Sequence, residues 1–83
     1  MSAHDTVRRV LDRHGKLRAP ATTLSDSDDL YAAGMTSHAS VNVMLAVEDA
    51  FDIEFPDALL TKMTFCTIGS IGAAVEGLLE AAA

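Results

Sequence analysis

At 83 residues the chain has room for one domain, 1–83, with one small core, too little to wall off a deep catalytic cleft. A net charge of −6 argues against a nucleic-acid partner, which demands clustered lysine and arginine, and no apolar run is long enough to insert across a membrane. Tyr31, Phe51, Phe55 and Phe65 are the only aromatics, while Ala, Leu, Val and Met are frequent, a balance that favours helices over sheet and predicts an all-α fold.

From His4 to His14, Val7, Val10 and Leu11 recur at three- and four-residue spacing among Arg8, Arg9, Asp12 and Arg13, the pattern of a first amphipathic helix. Ser2 is placed to cap it and Gly15 to end it in a left-handed turn. The charge is lopsided. Arg8, Arg9, Arg13, Lys16 and Arg18 all lie near the start, and Lys62 is the one lysine or arginine beyond them, so most of the domain is acidic and suited to partners with a basic patch.

Residues 16–36 have no sustained period and carry Pro20 and the polar run Ser25-Asp26-Ser27-Asp28-Asp29. A connection this long in so small a domain is functional or a linker, and Leu17, Leu24, Leu30 and Tyr31 can pin it to the core. The next helix runs from Ser37 or His38 to Phe51. At about 100° per residue, Val43, Met44, Val47 and Phe51 form a core stripe. His38, Val41, Leu45 and Asp49 form a second stripe, which leaves Val41 and Leu45 partly exposed as a surface able to dock a partner. Pro56 forbids continuation past the Asp52–Asp57 stretch. The segment Asp57–Lys62 is long enough for a turn or two of short helix. Thr67 then caps a last helix marked by Ile68, Ile71, Val75, Leu78 and Leu79. The expected architecture is three main helices and one short helix with a long first loop.

Conventional catalysis finds little support. Ser37 and His38 are adjacent, so on a helix they point apart and make no nucleophile–base pair, and Asp28-Asp29 and Glu48-Asp49 read as solvated acids. Three scattered histidines and one cysteine do not match metal-ligand spacing, so no metal site is expected. Cys66 has no partner for an internal disulfide and reads as a small buried residue, which together with the lack of a secretion signal places the chain in the cytoplasm. What stands out is Ser37, at the first turn of the second helix, where unpaired N–H groups favour a phosphate.

The ordered set Asp28-Asp29-Leu30-Tyr31, Gly34-Met35-Thr36-Ser37 and Val47-Glu48-Asp49-Ala50-Phe51-Asp52-Ile53-Glu54-Phe55-Pro56-Asp57 resembles the acyl carrier protein family, and Phe65-Cys66-Thr67-Ile68 is similar to that family's entry into its last helix. The resemblance spans nearly the whole chain. It implies a small four-helix bundle, and 4′-phosphopantetheine from coenzyme A esterified to Ser37 by a phosphopantetheinyl transferase. It further implies a monomer, itself no enzyme, that presents acyl or aminoacyl groups to a loading ligase and a downstream transferase. Thr36, His38, Val41, Leu45, Glu48 and Asp49 are the expected partner surface. The family usually has Asp-Ser-Leu at the attachment point, whereas this chain has Thr36-Ser37-His38, and Ala39 and Asn42 stand where fatty-acid carriers are often acidic. Thr-Ser-His looks like the small bacterial carriers charged by ligases related to class II aminoacyl-tRNA synthetases. Carriers of polyketide, nonribosomal peptide or fatty acyl pathways remain the alternative, and a non-covalent helical interaction module, using Val41 and Leu45, is the competing class.

Overall fold

The polar face of the first helix organises the molecule as much as its apolar face does. In a computed structural model, residues 3–82 are described, and helix α1 spans Ala3–His14. The proposed cap Ser2 lies outside the described residues. Val7 and Leu11 are fully buried and Val10 nearly so, as their spacing requires. Asp5 sits at the positive end of the helix dipole and Arg13 and His14 at the negative end. The left-handed residue after α1 is Lys16, at φ 53°, and not Gly15. Gly15 instead closes the helix, its N–H donating to the Leu11 carbonyl at 2.8 Å. A Cβ there would meet that oxygen at 2.8 Å, so the glycine serves close approach.

The long connection is held in place by α1. The Arg8 guanidinium donates to the Ala21 carbonyl, to the Leu24 carbonyl at 2.7 Å and to Asp26 Oδ1 at 2.7 Å, while Asp12 Oδ1 accepts from the Ala21 N–H at 2.7 Å. Ala21–Thr23 forms a single 3-10 turn inside this loop. Leu30 is fully buried, and Leu17, Leu24 and Tyr31 pack partly buried against the core, so the loop's apolar residues do pin it. Asp28 and Asp29 are turn formers. Asp28 accepts from the Ser25 N–H at 2.8 Å, and Asp29 accepts from the N–H groups of Tyr31 and Ala32.

Helix α2 spans Ser37–Phe51 and buries Ala39, Val43 and Val47, while Met44 and Phe51 are half-buried. It ends at Asp52, in the left-handed region, with its N–H and that of Ile53 on the Glu48 carbonyl, four residues before Pro56. The short helix expected at Asp57–Lys62 is one 3-10 turn, Asp57–Leu59, followed by turns. Phe55 and Phe65 close the core beside it, ring edge to ring face with centroids 5.3 Å apart.

Helix α3, Ile68–Ala82, buries Ile68, Ile71 and Val75 completely. Thr67 and Ser70 cap it reciprocally. The Ser70 N–H donates to Thr67 Oγ1 at 2.9 Å and the Thr67 N–H donates to Ser70 Oγ at 3.1 Å. α1 lies between α2 and α3 and packs on both. Gly72 leaves room for the His4 ring of α1, which a Cβ there would meet at 2.2 Å. Among the described residues there is no strand, and no helix is long and apolar enough to cross a membrane.

Candidate functional site

The start of α2 is set by two residues ahead of it. Gly34 adopts φ +118°, and a side chain there would also press on Arg18, whose own N–H donates to the Ala33 carbonyl at 2.9 Å. Thr36 follows in extended conformation as the N-cap, its Oγ1 accepting from the Ala39 N–H at 3.0 Å and its carbonyl from the Ser40 N–H at 2.9 Å. Capping therefore falls to Thr36, and Ser37 is the first helical residue. Among the described residues its exposed hydroxyl makes no hydrogen bond, and the N–H groups of Ser37 and His38 are unpaired.

Beside Ser37 opens a groove of about 390 Å³. Ser40, Val41 and Met44 of α2 line one wall, Leu60, Thr61, Lys62 and Phe65 the other, and Tyr31 joins the lining. Most of this second wall was not legible in the sequence, because 57–67 has no helical period and reaches α2 only through the tertiary fold. The Lys62 ammonium sits 4.8 Å from the centroid of the Tyr31 ring.

The other expected surface residues divide. Thr36, Ser37, His38, Val41 and Leu45 are exposed on the first half of α2 and beyond, Val41 by 50% and Leu45 by 54%, and Leu60 adds an exposed aliphatic across the groove at 45%. Glu48 is half-buried. Its carboxylate accepts from the Phe55 N–H at 2.8 Å and so ties the loop after α2 back to the helix. Asp49 is exposed and faces α1, in a second groove with Arg9, Arg13 and His14. Cys66 is half-buried. Desolvation, then the Asp29 carboxylate, push its thiol up, and Lys62 opposes them more weakly.

A phosphodiester fits at Ser37. The hydroxyl is free and exposed, two helix-start N–H groups point outward, no acid occupies the first turn of α2, and the adjoining groove offers apolar walls to a flexible chain.

Comparison with known proteins agrees with this chemistry. Residues 4–75 match the family described as "Phosphopantetheine attachment site". The chain is 48% identical over 75 residues to the aminoacyl carrier protein of Agrobacterium fabrum, covering 90% of each. It is similar, at 48% identity and TM-score 0.85, to a chain in the crystal structure of an engineered Bradyrhizobium japonicum glycine:[carrier protein] ligase complexed with the carrier protein from Agrobacterium tumefaciens and AMP, covering 88% of this chain and 97% of that one. It also matches the solution structure of a holo acyl carrier protein from Nitrosomonas europaea, at 33% identity and TM-score 0.84, covering 96% and 99%. An all-helical chain that matches phosphopantetheine attachment sequences along most of its length belongs to the acyl and aminoacyl carrier protein family, whose cofactor is 4′-phosphopantetheine.

Proposed function

We propose that the chain is an aminoacyl carrier whose attachment point is Ser37. The observation that carries this reading is the free, exposed Ser37 hydroxyl at the start of α2, with Thr36 relieving it of the capping role. A phosphopantetheinyl transferase joins Ser37 Oγ to the pantetheine-side phosphorus of coenzyme A's diphosphate; the bond from that phosphorus to the bridging oxygen breaks, adenosine 3′,5′-bisphosphate leaves with the oxygen, and the serine proton passes to a base on the transferase. When bound, the arm supplies a terminal thiol that carries an acyl group as a thioester. The chain's own residues contribute position. The N–H groups of Ser37 and His38 face the phosphate, the helix dipole favours its charge, and the rigid α2 holds the root of the arm at an exposed edge. We take the chain to be a carrier and not itself an enzyme, in line with the carrier protein family it belongs to.

The cargo we propose is an amino acid, loaded by a ligase resembling class II aminoacyl-tRNA synthetases and passed on by a downstream transferase. The 48% identity to an aminoacyl carrier protein and the likeness to a carrier complexed with a glycine:[carrier protein] ligase support this over an acyl cargo. Thr36, His38, Val41 and Leu45 are the docking surface for these enzymes, with Glu48 and Asp49 as its acidic flank. The 57–62 segment takes the place of the bundle's short helix, and the chain works as one domain and as a monomer in the cytoplasm, each docking being transient.

Whole-protein mass measures both steps. Apo protein incubated with coenzyme A and a broad-specificity transferase gains one phosphopantetheinyl group, and Ser37→Ala gains none. Holo protein incubated with a glycine:[carrier protein] ligase, ATP and glycine gains a glycyl group that hydroxylamine removes. Uptake of the arm by Ser37→Ala refutes the site, and a holo protein that accepts fatty acids and no amino acid refutes the cargo.

A further inference from the structure

Lys62 is the one lysine or arginine beyond residue 18, and it lines the same groove as Ser37. Its ammonium lies over the Tyr31 ring, 4.8 Å from the centroid, and no carboxylate is within ion-pair distance of it among the described residues. A lone positive charge is thus parked on an aromatic face in a groove that also holds the Ser37 hydroxyl, proposed above to take an anionic group. That hydroxyl stands at the N-terminus of α2, which has no acid in its first turn and neutral Thr36 as cap. No negative side chain on α2's first turn competes for the ammonium once a phosphate arrives. Lys62 lines the groove from a segment of turns, and its ammonium is carried on a flexible four-carbon stem. A charge-assisted bond to a phosphate oxygen is stronger than a cation–π contact at a partly solvated ring, which sets the direction of the exchange.

Resting on the reading that Ser37 is modified, we propose that Lys62 is the counter-ion of the phosphate on Ser37: on modification its ammonium leaves the Tyr31 ring, binds a phosphodiester oxygen opposite the helix N–H groups, and fixes the root of the arm at the mouth of the groove. Lys62 is a positioning residue in this arrangement. It takes no part in bond making, and its charge reduces the directions in which the arm can leave Ser37.

The test is spectroscopic and uses the full chain. In the apo protein the Lys62 Hε resonances are displaced upfield by the Tyr31 ring current, as comparison with Tyr31→Leu calibrates. After transfer of the arm, verified by mass, they move downfield to the Tyr31→Leu position. The phosphorus resonance of the holo protein differs between wild type and Lys62→Gln at low salt, is retained in Lys62→Arg, and converges among all three at high salt as the pair is screened. A holo protein whose Lys62 stays over Tyr31, or whose phosphorus shift is indifferent to Lys62→Gln, overturns the inference while leaving Ser37 modified. A chain that gains no mass overturns the Ser37 reading, and the inference with it.

Discussion

Two neighbouring hydroxyl residues do different work at the start of α2, and the division decides which of them is available. Thr36 is extended and spends its oxygen on the Ala39 N–H, while Ser37, one step further, is helical and its hydroxyl projects without a partner among the described residues. The turn that delivers Thr36 to this position depends on Gly34. At φ +118°, with Arg18 Cγ 3.2 Å from where a Cβ would lie, alanine is strained twice, by its own backbone and by the neighbour. Gly34→Ala is expected to lower stability in urea by about 1–3 kcal/mol, and, because the cap is displaced, to slow transfer of the arm to Ser37 in a mass-resolved time course. Gly34-Met35-Thr36-Ser37 was legible as a motif in the sequence. The choice of Thr36 as cap was less so, since Ser37 has the same chemistry and only backbone dihedrals separate the two. At Cys66 the sequence places Lys62 only four residues away, and whether it or Asp29 dominates the thiol could be read only from space. Burial and Asp29 dominate, so the thiol is a weaker acid than normal. The folded state therefore holds this proton more tightly than the unfolded one, a contribution present below the ordinary thiol value of 9.0 and lost as pH rises through the raised folded value.

Among the elements, the three long helices follow their apolar spacing closely, because burial of Val7 and Leu11, of Val43 and Val47, and of Ile68, Ile71 and Val75 depends on a period that any helix imposes. The connections do not follow from spacing. The 16–36 loop is ordered by hydrogen bonds between residues far apart in sequence, above all the Arg8 fork to the carbonyls of Ala21 and Leu24 and to Asp26. The Asp26 carbonyl in turn accepts from the Gly69 N–H at 2.9 Å, so the same strut reaches α3. Arg8→Ala is expected to destabilise the protein by about 2 kcal/mol and to raise hydrogen exchange at the Gly69 amide above that of the α3 interior; an unchanged Gly69 rate would remove Arg8 from this role. Lysine is not expected to substitute for it, because the guanidinium meets both carbonyls through Nη1 and Asp26 through Nη2, whereas an ammonium has all its donors on one atom.

At the scale of the whole molecule, the buried set crosses every boundary between helix and loop. Leu30, from the long connection, is as completely buried as Ile71 at the heart of α3, and its N–H donates to the Cys66 carbonyl at 2.7 Å. Leu30→Ala should therefore cost as much as a helical core truncation, about 2–5 kcal/mol, in a denaturation experiment. Leu45→Glu, on a residue 54% exposed, should leave stability nearly unchanged while abolishing glycyl loading of the holo protein, a contrast that separates the core from the docking surface. Composition and helical period were enough to determine an all-helical fold, because each depends on local spacing or on residue identity, and the ordered motif from Asp28 to Asp57, through its resemblance to the carrier family, singled out Ser37 and implied a carrier. Only the tertiary structure decided that Thr36 caps, that Lys16 and not Gly15 turns left-handed, that Glu48 is drawn inward to the Phe55 N–H, and that Leu60, Lys62 and Phe65 face Ser37 across a groove. The first two rest on backbone dihedrals and the last two on contacts between segments with no common period, where geometry rather than spacing determines which group meets which.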